Sequence, residues 1–151
     1  MRNPLVATFA LLAVSCASPT AHRTQLRITP EQAVINAAQS DGGITGLFEL
    51  VVLGTGRQNG RLFLNSQADY RDPRNLTIAI TPEVERALED RLGSPLIQAV
   101  HNKTIAVRGT ARTTKIWLMT HGRRTEKYYF QTHVNLQRSS DLTVSGEHSF
   151  R

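Results

Sequence analysis

RLFLNSQADYRDPRNLTIAI, residues Arg61 to Ile80, decides how the chain of 151 residues is read. Two short apolar runs, Leu62 to Leu64 and Leu76 to Ile80, enclose a segment with two Asp, a Pro and two Asn. That pattern predicts a β-hairpin with a generous loop. In the second run Leu76, Ile78 and Ile80 alternate with Thr77 and Ala79, so a period of two places three aliphatics on a buried face and the small residues outside.

Outward from the hairpin, the chain shows two helix starts of the same design. Thr29-Pro30-Glu31-Gln32 offers a hydroxyl cap, a proline at the first helical position and a Gln three residues after the cap, which predicts a helix from Pro30 to about Gln39. Thr81-Pro82-Glu83 repeats the signal, and Val84, Leu88 and Leu92 follow at four-residue spacing before Gly93, predicting a helix over 82–92. Its other face carries Glu83, Glu85, Arg86, Glu89, Asp90 and Arg91 and reads as solvated. Ser94-Pro95 ends it, and Leu96 to Val100 adds one further turn.

The remaining segments read as strands. Ile44 to Leu53 is nearly continuous in apolar residues, with Gly46 inside it marking a bend or bulge. Gly54 to Gly60 reads as the loop into the central hairpin; its glycines lack the spacing, and the following helix, of a phosphate-binding loop. Lys103 to Gly109 starts a fourth strand that runs on past Gly109. A long hairpin follows, with its tip at His121-Gly122-Arg123-Arg124. On its return Phe130, Thr132, Val134 and Leu136 share one face, and Tyr129, Gln131, His133 and Asn135 the other. Leu142-Thr143-Val144 adds a short edge, and residues 145–151 form a frayed tail.

This order predicts a mainly β domain over 28–144: a five-stranded, partly open barrel with a helix between strands three and four and an N-terminal helix, the OB-fold. The segments Ile28 to Ala33, Leu62 to Asn65, Asp69-Tyr70, Leu76 to Ile80 and Thr104 to Gly109 resemble those of small exported bacterial OB-fold domains related to nucleic-acid-binding OB-folds. The resemblance covers Ile28 to Leu136, and the long Ala111 to Lys127 segment departs from the short form. It implies a binding module that uses the face of strands two and three and the loops beside it.

The N-terminus has its own pattern. Met1-Arg2-Asn3 and the apolar run Leu5 to Val14 predict an export signal over 1–16, too short to span a bilayer, followed by a flexible tether over 17–27. Ala13-Val14-Ser15-Cys16 resembles a lipobox that would lipidate Cys16; Ser15-Cys16-Ala17 suits ordinary cleavage instead. The first is preferred, and either places the mature protein in the periplasm or lipid-anchored to a bacterial membrane. Cys16 is the single cysteine, so no disulfide and no cysteine-based zinc site can form within one chain.

The formal charge is +6, from 18 Lys and Arg against 12 Asp and Glu, which favours an anionic partner. From Lys103 to Arg138 eight cationic side chains face one acidic residue, Glu126. Arg57, Arg61, Arg108, Lys115, Arg123, Arg124 and Lys127, with Trp117 and Tyr129 as stacking platforms, are therefore the candidate ligand-binding residues. The ligand class is a polyanion, either single-stranded nucleic acid or an anionic glycan. The rival is an envelope protein that contacts the long hairpin through Trp117, Met119 and Tyr129. Catalysis is not expected. A metal-assisted nuclease needs converging carboxylates, and Asp69 and Asp72 are explained by the turn that holds them. The five His residues show no ligand spacing, and no cofactor is implied.

Overall fold

The computed structural model describes residues 26–146, so the leader, Cys16, most of the tether and the end of the tail lie outside the described residues. Helix α1 (Pro30–Ala38) starts where Thr29 Oγ1 accepts from the Gln32 amide and Gln32 Oε1 accepts from the Thr29 amide. Helix α2 (Pro82–Leu92) is capped by Thr81 and ends at Gly93 in the left-handed region, at φ 68°. A five-residue helix, α3 (Leu96–Val100), follows it.

Eight strands make one mainly β, open sheet: β1 (Arg27–Ile28), β2 (Ile44–Val51), β3 (Gly54–Gln58), β4 (Arg61–Asn65), β5 (Leu76–Ile80), β6 (Thr104–Thr120), β7 (Arg123–Leu136) and β8 (Leu142–Val144). The hydrogen-bonded order is β1-β2-β6-β7-β5-β4-β3, with β8 on β6. The central hairpin is present, Leu62 opposite Ile80 and Leu64 opposite Ile78. β5 runs parallel to β7 from Leu76 opposite Thr132, which joins the N-terminal and C-terminal halves.

The strand count of five is thereby corrected to eight. The expected first strand breaks at Val52 and Leu53, because the Val52 amide donates to the Lys103 carbonyl (3.0 Å) while the Leu53 amide donates to the Asn65 carbonyl (2.9 Å). The backbone pivots there from pairing with β6 to pairing with β4. The stretch after it, expected as a loop, is strand β3, joined to β4 by an Asn59-Gly60 turn whose two φ angles are positive, 51° and 78°. Thus β3, at one end of the sheet, directly follows β2, the strand next to its other end, β1.

Phe48, Leu50, Leu62, Leu64, Leu76, Ile78, Ile80, Ile105, Val107 and Val134 fill the interior. Helix α1 covers it with Ala33 and Ala37, and α2 with Leu88. Gly46 and Gly109 lie directly opposite each other in β2 and β6. A Cβ on Gly46 would stand 2.5 Å from Ile28 Cδ1, and one on Gly109 2.7 Å from Val134 Cγ1. The bend expected at Gly46 is thus a place of close approach on both strands.

Three face assignments are corrected. Thr77 and Ala79 are buried rather than outside, because β5 is covered on both faces. Phe130 is 57 % exposed rather than inward, because β7 joins the barrel only after it, from Thr132 onward. The charged face of α2 is not simply solvated: Glu85 is buried against Arg57, Glu89 Oε1 accepts from the Leu96 amide, and Arg91 donates to the carbonyls of Ser139 and Leu142.

Candidate functional site

β6 and β7 stay paired far beyond the barrel, from Ala111 opposite Val134 to Thr120 opposite Arg123, with an irregularity at Leu118. The tip is His121-Gly122, with φ angles of 50° and 74°. Two successive residues of positive φ make the tight turn whose twist matches the flanking strands. The result is an arm that stands over the outer face of β4 and β5 and closes a groove of about 640 Å³.

The groove is built on alternation. Leu62 and Leu64 point into the core, so Arg61, Phe63 and Asn65 point out, and on β7 Tyr129, Gln131 and His133 point to the same side. The Phe63 and His133 rings lie 6.2 Å apart. His133 Nε2 is 2.8 Å from Gln131 Oε1, and burial holds the imidazole below its ordinary value. Gln131 Nε2 donates to the Tyr70 carbonyl (3.0 Å) and to the Tyr129 hydroxyl. Burial and the neighbouring Tyr70 raise the Tyr129 hydroxyl.

Beneath this layer lies a buried polar cluster. Asn75 Nδ2 donates to Asn65 Oδ1 (3.1 Å), to Thr77 Oγ1 (2.9 Å) and to the Tyr70 carbonyl (3.3 Å). Its Oδ1 accepts from Ser66 Oγ and the Gln67 amide. The cluster and Gln131 therefore grip the loop 66–75 from two sides and present Tyr70, half exposed, at the groove. At the loop's far side Asp69 accepts from the Arg71 amide and guanidinium, and Asp72 from those of Arg74. The Arg74 guanidinium and amide lower the Asp72 carboxyl to about 2.

Of the nine candidate residues, Arg57, Trp117 and Tyr129 border the groove. Arg57 is engaged, however: both its terminal nitrogens donate to Glu85, and that hydrogen bonding raises its pKa. Arg61 extends the row of Phe63 and Asn65, just past the Asn59-Gly60 turn. Arg123 and Lys127 extend the Tyr129 row toward the tip and are exposed. Lys115 and Arg124 sit on the rings of the arm's other row, Lys115 Nζ 4.4 Å from the Tyr128 centroid and Arg124 Cζ 3.9 Å from that of Trp117. Arg108 lies on the outer surface of β6 opposite Leu47, away from the groove.

Sequence reasoning missed Phe63, Tyr70, Gln131 and His133, all of which border the groove. The alternation in Leu62-Phe63-Leu64 could have exposed Phe63, and the Tyr129, Gln131, His133 row was visible as a row. Tyr70 carries no such signal. Its position depends on Asn75, just before β5, and on Gln131, within β7 and 61 residues away in the chain.

No family model matches the chain, and neither does any curated protein. Among solved structures, "a putative aspartyl-tRNA synthetase from Leishmania major Friedlin" is 13 % identical over 87 % of this chain and 23 % of its own, with a TM-score of 0.47. The aspartyl-tRNA synthetase of Entamoeba histolytica is 8 % identical over 99 % of this chain and 28 % of its own, with a TM-score of 0.46. The chain spans about a quarter of the length of each. At these scores neither likeness bears on what this chain does.

Proposed function

We propose that this chain is a non-catalytic binding module of the OB type that holds single-stranded nucleic acid in the groove. The observation that carries the reading is the groove itself. Four aromatic or imidazole rings, Phe63, Tyr70, Tyr129 and His133, line a neutral floor, while Arg61, Arg123 and Lys127 lie along its two rows. Unstacked bases need ring faces and their phosphates need cations beside them, and neither requirement depends on base sequence. The strand path β3-β4-β5-β7-β6-β2, with β2 and β3 consecutive in the chain, supports the OB-type barrel. Export and lipidation at Cys16 remain part of the proposal on the strength of the leader alone.

Trp117, the single tryptophan, reports binding by its fluorescence. If Arg61, Arg123 and Lys127 contact phosphates, affinity for an oligothymidylate should fall roughly 20-fold between about 50 and 200 mM salt. Replacing Arg123 and Arg124 together by alanine should flatten that dependence, and Tyr129→Ala should weaken binding at every salt concentration. Absence of binding at the lower salt, or binding indifferent to both salt and substitutions, would refute the reading. An envelope protein retained by the wild type and lost on Trp117→Ala would then favour the rival.

A further inference from the structure

The arm is one layer thick, and its second face is as aromatic as the first. Lys115 is directly opposite Phe130, and Trp117 directly opposite Tyr128, so these four side chains share the face opposite that of Ile116 and Tyr129, and of the four Trp117 alone also borders the groove. Toward the barrel the same row of β7 continues into Thr132, Val134 and Leu136, which are buried. Past the barrel's end it continues as Phe130 and Tyr128, which are 57 % and 48 % exposed. Tyr128 meets Trp117 edge-on at 5.3 Å and Phe130 edge-on at 5.5 Å. These contacts stiffen the hairpin, but edge-on packing leaves flat ring surface uncovered. Arg124 already lies over Trp117, and the Lys115 ammonium lies over Tyr128. The broad open ring is that of Phe130, with Lys115 beside it.

We propose that Phe130, Tyr128 and Lys115 form a second nucleobase site, onto which a single strand held in the groove continues around the arm. This rests on the groove reading given above. The charge argument selects the occupant. With eight cations to one acidic residue between Lys103 and Arg138, a second copy of this arm would be repelled, whereas a strand carrying one phosphate per base is attracted. A base on Phe130 places its phosphate within reach of Lys115, so each ligand group meets its complement.

The two sites separate by ligand length. Oligothymidylates of about 4 and about 12 nucleotides span the range that one such barrel accommodates. Phe130→Leu keeps the apolar bulk and the hairpin packing but removes the ring face; Lys115→Met keeps the stem and removes the charge. Each variant should lower affinity for the longer oligonucleotide about 10-fold while leaving the shorter one unchanged. Lys115→Met should also reduce the slope of log affinity against log salt by about 0.7, for the longer ligand only. Tyr129→Ala, in the groove, should weaken both lengths. If the short ligand binds and responds to Tyr129→Ala while the long one ignores Phe130→Leu and Lys115→Met, the second site is overturned and the groove reading stands. If neither ligand binds, both fall. Unchanged thermal unfolding of Phe130→Leu and Lys115→Met excludes a loss through misfolding.

Discussion

Asn75 should be the residue on which the loop, and through it the groove, depends. Its side chain accepts two hydrogen bonds and shares its two N–H groups among three acceptors while only 2 % exposed. Asn75→Ala removes all five and leaves Asn65, Thr77, Ser66 and the Gln67 amide to find other partners. Thr77 Oγ1 still donates to Asn65 Oδ1, and Ser66 Oγ still accepts from the Leu76 amide, so part of the network survives. What is lost in full is the Gln67 amide's acceptor, one bond to the Tyr70 carbonyl and the amide volume. At about 1 kcal/mol for each net hydrogen bond, and more for a buried group left unpaired, the cost is about 2–4 kcal/mol. For a domain of about 120 residues that corresponds to a fall in Tm of about 8–16 °C. Differential scanning calorimetry measures it, and hydrogen exchange should show the 66–75 amides losing protection beyond the global change. Affinity for single strands should fall with it, because Tyr70 is no longer held at the groove. A fall of less than about 3 °C, or a loss of stability with the loop's relative protection intact, would refute the role assigned to the network.

Gly109→Ala places a methyl 2.7 Å from Val134 Cγ1 in a filled interior and should cost about 1–3 kcal/mol by urea denaturation, with Val134→Ala restoring part of the loss. His133 has its folded pKa below its ordinary value of 6.5, so the unfolded chain binds more protons. Its contribution to stability is therefore complete above about pH 6.5 and declines as the pH falls through the lower folded value, and His133→Gln should flatten that part of the pH–stability curve. If the leader directs lipidation, the mature chain isolated from a bacterial envelope begins at Cys16 and carries diacylglycerol by mass spectrometry; an unmodified terminus after Ala17 or Ala21 removes that claim while leaving export intact.

What could be read from the sequence was local. Thr29-Pro30 and Thr81-Pro82 state their caps within four residues, and the structure begins helices there. Leu62 to Leu64 and Leu76 to Ile80 state a hairpin through their period of two. What could not be read depends on partners far along the chain. The parallel pairing of β5 with β7 joins Leu76 to Thr132 and makes β5 an interior strand, while Thr77 on its second face is held by Asn65 and Asn75 beneath the arm. Glu85 looks solvated on its own helix, since Arg57 is 28 residues earlier on a strand that itself read as loop. The Asn and Asp residues of 65–75 read as turn formers. Asp69 and Asp72 behave that way, whereas Asn65 and Asn75 turn inward as a network that no local pattern distinguishes from the same turn.

The arrangement of charge explains why the arm can remain exposed. Beyond Ala111, β6 pairs with β7 alone among the described residues, so the 112–120 segment presents an edge of unpaired backbone groups flanked by Ile116, Trp117, Leu118 and Met119. An apolar edge of that length invites pairing with another chain. Arg112 and Lys115 on the edge, with Arg123, Arg124 and Lys127 on its partner strand, oppose that through like-charge repulsion. On the function proposed above, the same cations would supply a polyanion's phosphate contacts. Within the groove, by contrast, Arg57 is already engaged by Glu85, so the floor offers ring faces and amide groups rather than free charge. Binding energy would thereby be divided in space. On that reading most salt-sensitive attraction would lie on the protruding arm and turn, where it accelerates encounter, while the groove's stacking would lie on the barrel face, where Asn75 and Gln131 fix its geometry. Substitutions on the arm should therefore change association rate and salt dependence, and those on the floor should change dissociation rate.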